Sequence, residues 1–128
     1  MNTYKLSFGQ VVVLKPFLVE IIVDEGVVVN EVMIDEFHDF LLTNLSAPFR
    51  ILISTKNSYS YTFRAQLLIA SLKQIEAIAV SIGTSGALMS FETMNFLNKN
   101  NRCNIQFQLF MSRIEALAWL QNLNIAVA

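Results

Sequence analysis

Hydroxyl side chains are concentrated in one stretch of the sequence, between an apolar run that ends at Ile53 and a helix-like run that begins at Phe63. The stretch contains seven of them: Ser54, Thr55, Ser58, Tyr59, Ser60, Tyr61 and Thr62. Such a segment can accept a phosphate, form the rim of a ligand site, or simply connect two elements and cap the helix that follows.

Thr62 is the hydroxyl best placed for chemistry or for capping, because it directly precedes the helix-like run. A phosphate there would meet the free backbone N–H groups of a first helical turn and the guanidinium of Arg64. Unmodified, the hydroxyl can accept one of those N–H groups and stabilise the helix by about 1 kcal/mol. We expect Thr62 to act as a cap, and we take Ser58, Ser60, Thr62 and Arg64 as candidates for a partner-binding or phosphorylation loop.

A second candidate site is the glycine-rich segment Gly83, Thr84, Ser85 and Gly86, which stands between a strand-like and a helix-like run. Exposed backbone amides in such a turn can hold a carboxylate or a phosphate. The segment lacks the lysine and the length of a phosphate-binding P-loop. A tight turn capped by Ser85 is therefore the expected role, and anion binding is the alternative.

The sequence offers little for catalysis or metal binding. His38 has Asp35 and Asp39 as helical neighbours, which is the pattern of a proton-shuttling pair or, more simply, of a solvated histidine on an acidic face. It is the only histidine, and Cys103 is the only cysteine. The two are far apart in sequence and lack a matched third group, so we expect neither a metal site nor a nucleophile–base pair, no cofactor and no enzymatic activity.

Hydrophobic periodicity predicts alternating strands and helices. Two strand-like runs, 4–14 and 17–23, are separated by a turn at Pro16, and an amphipathic helix follows the N-cap candidate Asn30. The remaining predicted elements are a strand after Pro48, a helix over 63–74, a buried strand over 77–83, a helix over about 87–98, a strand over 105–110 and a final helix capped by Ser112. The order ββαβαβαβα gives about five strands and about four helices in one α/β domain over residues 1–128.

Composition and charge narrow the class of protein. No run approaches the roughly 18 apolar residues of a transmembrane helix, and the lone cysteine is typical of a reducing compartment, so we expect a cytoplasmic protein.

Residues 1–45 contain seven acids and two lysines, whereas residues 46–128 contain seven bases and three acids. This asymmetry can orient a protein partner or two copies of the chain, and a homodimer is one expectation. Because Lys and Arg are not interleaved with aromatic residues, we do not expect nucleic-acid binding.

Two segments resemble a known family. The strand "AIAVSIG", which enters a helix, and the segment "IQFQLFMSRIEALAWL" are similar to parts of the SpoIIAA-like, STAS-type fold. The second segment resembles the last strand, capped turn and tryptophan-containing final helix of that family. The resemblance covers nearly the whole chain, especially to small bacterial members, and implies a STAS-like domain that binds a protein partner in regulation or signalling.

The resemblance also implies where a phosphorylation switch would lie. In STAS-type modules a kinase partner phosphorylates a serine of an Asp-Ser segment, in the loop between the third strand and the second helix. The matching loop is the hydroxyl-rich stretch, but it has no Asp-Ser-Ser-Gly, and Ser54 stands where the acid is expected. We therefore expect a non-enzymatic module that binds a protein partner through this loop and the second helix, without an intact Asp-Ser motif.

An alternative function from a different class is the binding of a small apolar or anionic ligand at the strand-to-helix loops. Aromatic and methionine side chains that could line an apolar pocket are Met89, Phe91, Met94, Phe96, Phe107, Phe110, Met111 and Trp119. Their periodicity is that of a packed core. Polar anchors that would orient a ligand are not recognisable in the sequence, so protein binding is the favoured function.

Overall fold

The computed structural model describes residues 2–69, 71–81 and 105–123. The elements, in chain order, are β1 (Asn2–Leu6), β2 (Gly9–Lys15), β3 (Leu18–Val23), β4 (Val28–Val29), α1 (Glu31–Asn44), β5 (Phe49–Ser54), β6 (Ser60–Tyr61), α2 (Phe63–Leu68), β7 (Ile75–Ser81), β8 (Gln106–Phe110) and α3 (Arg113–Asn122). Six strands form one mixed sheet in the order β1-β2-β3-β5-β7-β8, and β4 pairs with β6 separately. The α/β class predicted from the sequence is confirmed.

The sheet combines two antiparallel connections with four parallel strands. β1, β2 and β3 pair antiparallel, and β3, β5, β7 and β8 pair parallel. The predicted apolar strand is β7, which lies between β5 and β8 and is buried on both faces through Ala77, Ile78, Ala79 and Val80. Its interior position is confirmed. The carboxyl ends of β3, β5, β7 and β8 share one edge of the sheet, which is where open α/β sheets place their binding sites.

The first predicted strand, 4–14, is in fact two strands joined by a tight turn at Ser7 and Phe8. The turn was not predicted because Phe8 is apolar and continues the strand-like pattern. Its ring is buried against Phe37. Gly9, with φ at +157°, begins β2, and a Cβ there would overlap the carbonyl oxygen of Ile22 and lie 2.9 Å from Val23 Cα. A glycine is therefore required where β2 approaches β3.

α1 packs on one face of the sheet. It begins at the predicted cap, where the Asn30 side chain accepts the backbone N–H of Met33. Its buried residues are Ile34, Phe37, Phe40 and Leu41. They join the larger of two apolar clusters, with Val19 and Ile21 of β3 and Ile51 and Ile53 of β5.

α2 is shorter than the predicted helix over 63–74, since it ends at Leu68. The Ser71 hydroxyl donates to the Leu68 carbonyl at 2.6 Å, and the Ser71 backbone N–H donates to the same oxygen at 3.0 Å. These bonds turn the chain away from the helix, as a serine side chain often does. In the ranges that the structure describes, no helix combines the length and apolar character needed to cross a membrane.

α3 covers the opposite face of the sheet. Its buried Ala116 and Leu120 pack with Leu52 of β5 and Ala77 and Ala79 of β7 in the second apolar cluster. The predicted cap is confirmed, because the Ser112 hydroxyl accepts the Glu115 backbone N–H at 3.2 Å. The predicted helix over about 87–98 lies outside the described residues.

Candidate functional site

The hydroxyl-rich stretch forms the connection from β5 to α2 at the carboxyl edge of the parallel strands. Its polar side chains bond to the carbonyl oxygens that end three neighbouring strands. The bonds run from Thr55 Oγ1 to Ser81 O at 2.6 Å, from Asn57 Nδ2 to Val23 O at 2.9 Å and from Tyr59 Oη to Ser54 O at 3.1 Å. The loop is thus fixed to β3, β5 and β7, and its own side chains occupy these strand-end acceptors.

Residues 25–29, which lead into α1, form hydrogen bonds with the loop. The backbone N–H of Ser58 donates to Glu25 Oε2 at 3.1 Å, and the backbone carbonyl of Ser58 accepts the Gly26 N–H at 2.7 Å. Ser60 lies in β6, which pairs parallel with β4. The candidate residues Ser58 and Ser60 are therefore held by backbone bonds, with the Ser58 side chain exposed and Ser60 half-buried.

Thr62 and Arg64 have structural partners. The Thr62 hydroxyl accepts the Ala65 backbone N–H at 3.1 Å, so Thr62 is the N-cap of α2 as predicted. Arg64 Nε lies 3.3 Å from Glu31 Oε2 at the start of α1. Both side chains of this pair are exposed, so its contribution to stability is small. The guanidinium that we considered as a phosphate partner binds a carboxylate of the same chain.

The two tyrosines of the loop are unsuited to acid–base chemistry. Their rings meet edge to face with centroids 5.6 Å apart. Burial raises the pKa of Tyr59 and raises that of Tyr61 well above its ordinary value. Both phenols therefore stay protonated near neutral pH and act as packing groups, with the Tyr59 hydroxyl fixed by its bond to Ser54.

His38 differs from the solvated histidine that the sequence suggests. It is half-buried, packs against Phe37, and its Nε2 has no hydrogen-bond partner among the described residues. Burial lowers its pKa, and the backbone of Ile69 together with Asp35 and Asp39 offsets that effect only in part. The helical spacing predicted the acidic neighbours, but it could not show that the end of α2 covers the ring.

Exposed apolar side chains lie at the start of α1 and along α2. Val32 of α1 is 71% exposed, Phe63 of α2 is 65% exposed, and Val28 and Leu67 are also exposed. We call this surface the α1–α2 face, and we include in it the exposed acids Glu31, Asp35 and Asp39 of α1. Sequence reasoning named α2 but missed Val32, although an apolar residue outside the buried stripe of α1 was a usable signal.

One cavity of about 20 Å³ lies between α1 and the sheet, lined by apolar side chains that include Phe8, Phe37 and Ile69, and by Tyr61. This volume holds about one water molecule. Phe110 and Trp119 pack on the second apolar cluster, whereas Met111 is exposed.

The predicted glycine-rich turn and the single cysteine lie in a part of the sequence that the structure does not describe. Gly83, Thr84, Ser85, Gly86 and Cys103 lie outside the described residues. Within the described ranges, no group of three or more His, Cys, Asp or Glu side chains is arranged to hold a metal ion.

Comparison with known proteins adds no assignment. The chain matches no model of a known protein family, no curated protein and no solved structure.

Proposed function

We propose that this chain is a non-enzymatic, STAS-like module that binds a protein partner through the α1–α2 face, in bacterial cytoplasmic regulation or signalling. The observation that carries the proposal is the exposure of apolar side chains on α1 and on α2, the helix that the sequence analysis named as a contact surface. Val32 and Phe63 each expose about two thirds or more of their area. Apolar groups gathered at the starts of two neighbouring helices are typical of a protein-binding surface.

The loop supports this role by its rigidity. Five of its side chains accept or donate hydrogen bonds within the chain: Ser54, Thr55, Asn57, Tyr59 and Thr62. These bonds position α2 relative to the sheet before any partner arrives. A preorganised surface loses less conformational entropy on binding than a mobile one, which favours affinity.

Phosphorylation is not part of the proposed function. The Thr62 hydroxyl has a capping role that is independent of any kinase, and Arg64 already binds Glu31. The cavity beneath α1 has the volume of about one water molecule, so it is too small for the ligand of the alternative, a small-molecule binder. Homodimerisation stays a prediction, which sedimentation at high concentration and low salt will test.

The test is an affinity capture from lysate of the native host, with the full chain and two matched variants. Val32→Ser changes the second residue of α1, and the control Ile114→Ser changes the second residue of α3. Val32 and Ile114 are matched because both are β-branched and exposed. We expect proteins retained by the parent to be lost with Val32→Ser and kept with Ile114→Ser, at unchanged thermal stability. Equal retention by both variants would refute the proposed surface.

A further inference from the structure

The α1–α2 face carries a row of acidic side chains beside its apolar ones. Glu31, Asp35 and Asp39 recur every four residues along α1, so they lie in one row on the helix surface. All three are exposed. Val32 flanks the row, and the Glu31–Arg64 pair places the first turn of α2 alongside it. The face therefore combines negative charge with exposed apolar area.

Most of this negative charge is uncompensated within the described chain. α1 contains four acids and no Lys or Arg: Glu31, Asp35, Glu36 and Asp39. Glu31 pairs with Arg64, and Glu36 accepts hydrogen bonds from the turn between β1 and β2. The carboxylates of Asp35 and Asp39 have no hydrogen-bond or ion-pair partner among the described residues. Like charges four residues apart repel each other in a helix, so the row destabilises the free protein.

Three of the seven Lys and Arg residues in the described part of the chain are already paired within it. These are Arg50 with Glu76, Arg64 with Glu31 and Arg113 with Glu20. The other four, Lys5, Lys15, Lys56 and Lys73, are at least ten residues apart in the sequence, so no short described segment of a second copy carries two of them. An anionic membrane surface would be repelled by the row.

We propose that the α1–α2 face binds a basic segment of a different protein, in which apolar side chains cover Val32 and Leu67 while Lys or Arg side chains face Asp35 and Asp39. This inference rests on the proposed function and adds the chemistry of the partner. Charge complementarity of this kind speeds association and selects against acidic partners. It also relieves the repulsion along α1.

The experiment is photo-crosslinking in lysate of the native host, followed by sequencing of the linked peptides. The photo-reactive residue p-benzoyl-phenylalanine replaces Val32 in the full chain, and in a control it replaces Ile114. We expect position 32 to link to another protein through a segment of net positive charge. With Asp35→Asn and Asp39→Asn added, we expect the yield to fall about threefold or more, because two exposed charge pairs are lost. Glu115→Gln, which removes an exposed acid of α3, should leave the yield unchanged.

Each other outcome overturns a defined part of the account. A linked segment that is neutral or acidic, or a yield indifferent to the two Asp→Asn changes, refutes the basic partner but leaves the protein-binding function intact. Links only to a second copy of the chain refute the hetero-partner. No protein linked at position 32, with links at position 114, refutes the proposed surface itself. No protein linked at either position refutes the proposed function together with the inference.

Discussion

The guanidinium of Arg113 donates to both carboxylate oxygens of Glu20: Nε lies 3.2 Å from Oε1 and 3.1 Å from Oε2, and Nη2 lies 2.9 Å from Oε1. Glu20 is only 5% exposed in β3, and Arg113 is the first residue of α3. At the other end of the helix, Arg50 donates to the carbonyls of Leu120 and Leu123. Charged hydrogen bonds therefore hold α3 on the sheet at both ends.

Removing Arg113 should destabilise the protein although the residue is half-exposed. Arg113→Met keeps most of the aliphatic stem but leaves the buried carboxylate of Glu20 without its donor, at a cost of about 2 kcal/mol in urea unfolding. The matched control is Arg64→Met, which breaks the exposed pair with Glu31 and should cost less than about 1 kcal/mol. If Glu20→Leu combined with Arg113→Met fails to recover stability, the ion pair is not the cause of the loss.

Two glycines should respond differently to alanine. Gly9→Ala places a Cβ against the Ile22 carbonyl and Val23 Cα, so either β2 or β3 must move, and we expect a loss of more than about 2 kcal/mol. Gly26 has φ at +79°, but its Cβ direction is open, so Gly26→Ala should cost only about 1 kcal/mol of backbone strain. Equal losses in chemical denaturation would contradict the close approach of β2 and β3.

His38 should make the protein less stable at mildly acid pH. Because burial lowers its pKa in the folded protein below the ordinary value of 6.5, the unfolded chain binds the proton more readily. The contribution of neutral His38 is present above about pH 6.5 and is lost as the pH falls below that value toward the lowered folded pKa. We expect the free energy of unfolding to decrease from about pH 7.5 to about pH 5.5, and His38→Gln to reduce that decrease. An unchanged pH profile in the variant would assign the effect to other groups.

Thr62 should contribute through capping alone. Thr62→Ala removes the acceptor for the Ala65 N–H and should lose about 1 kcal/mol, whereas Thr62→Asn keeps a capping oxygen and should match the parent. Partner capture should be unaffected by Thr62→Asn, which cannot be phosphorylated. Phosphothreonine at this position in protein from the native host, or capture lost in Thr62→Asn at unchanged stability, would establish a switch instead.

Local signals in the sequence predicted most of the described elements. Asn30, Thr62 and Ser112 are helix caps because each side-chain oxygen lies next to free helical N–H groups, a relationship that depends only on neighbours in the chain. The apolar strand around Ile78 was equally clear. The turn at Ser7 was not, because Phe8 continues the apolar pattern and is buried by tertiary contact with Phe37.

The ion pairs that join α2 to α1 and α3 to the sheet are long-range, and the sequence does not reveal them. Glu31 and Arg64 are 33 residues apart, and Glu20 and Arg113 are 93 residues apart. Such partners follow from strand order and helix placement, which periodicity alone does not determine. The charge asymmetry of the chain was visible, but the structure shows that several of the basic residues neutralise acids of the same molecule.

The most direct test of the central claim is a nuclear magnetic resonance spectrum of the ¹⁵N-labelled protein in unlabelled lysate of its native host. Partner binding at the α1–α2 face predicts that amide signals of Val32, Asp35 and residues 64–67 shift or broaden, while those of Ile114 and the rest of α3 do not. The Val32→Ser variant should abolish the change. Perturbation centred on α3, or a spectrum identical to that of the isolated protein, would contradict the account.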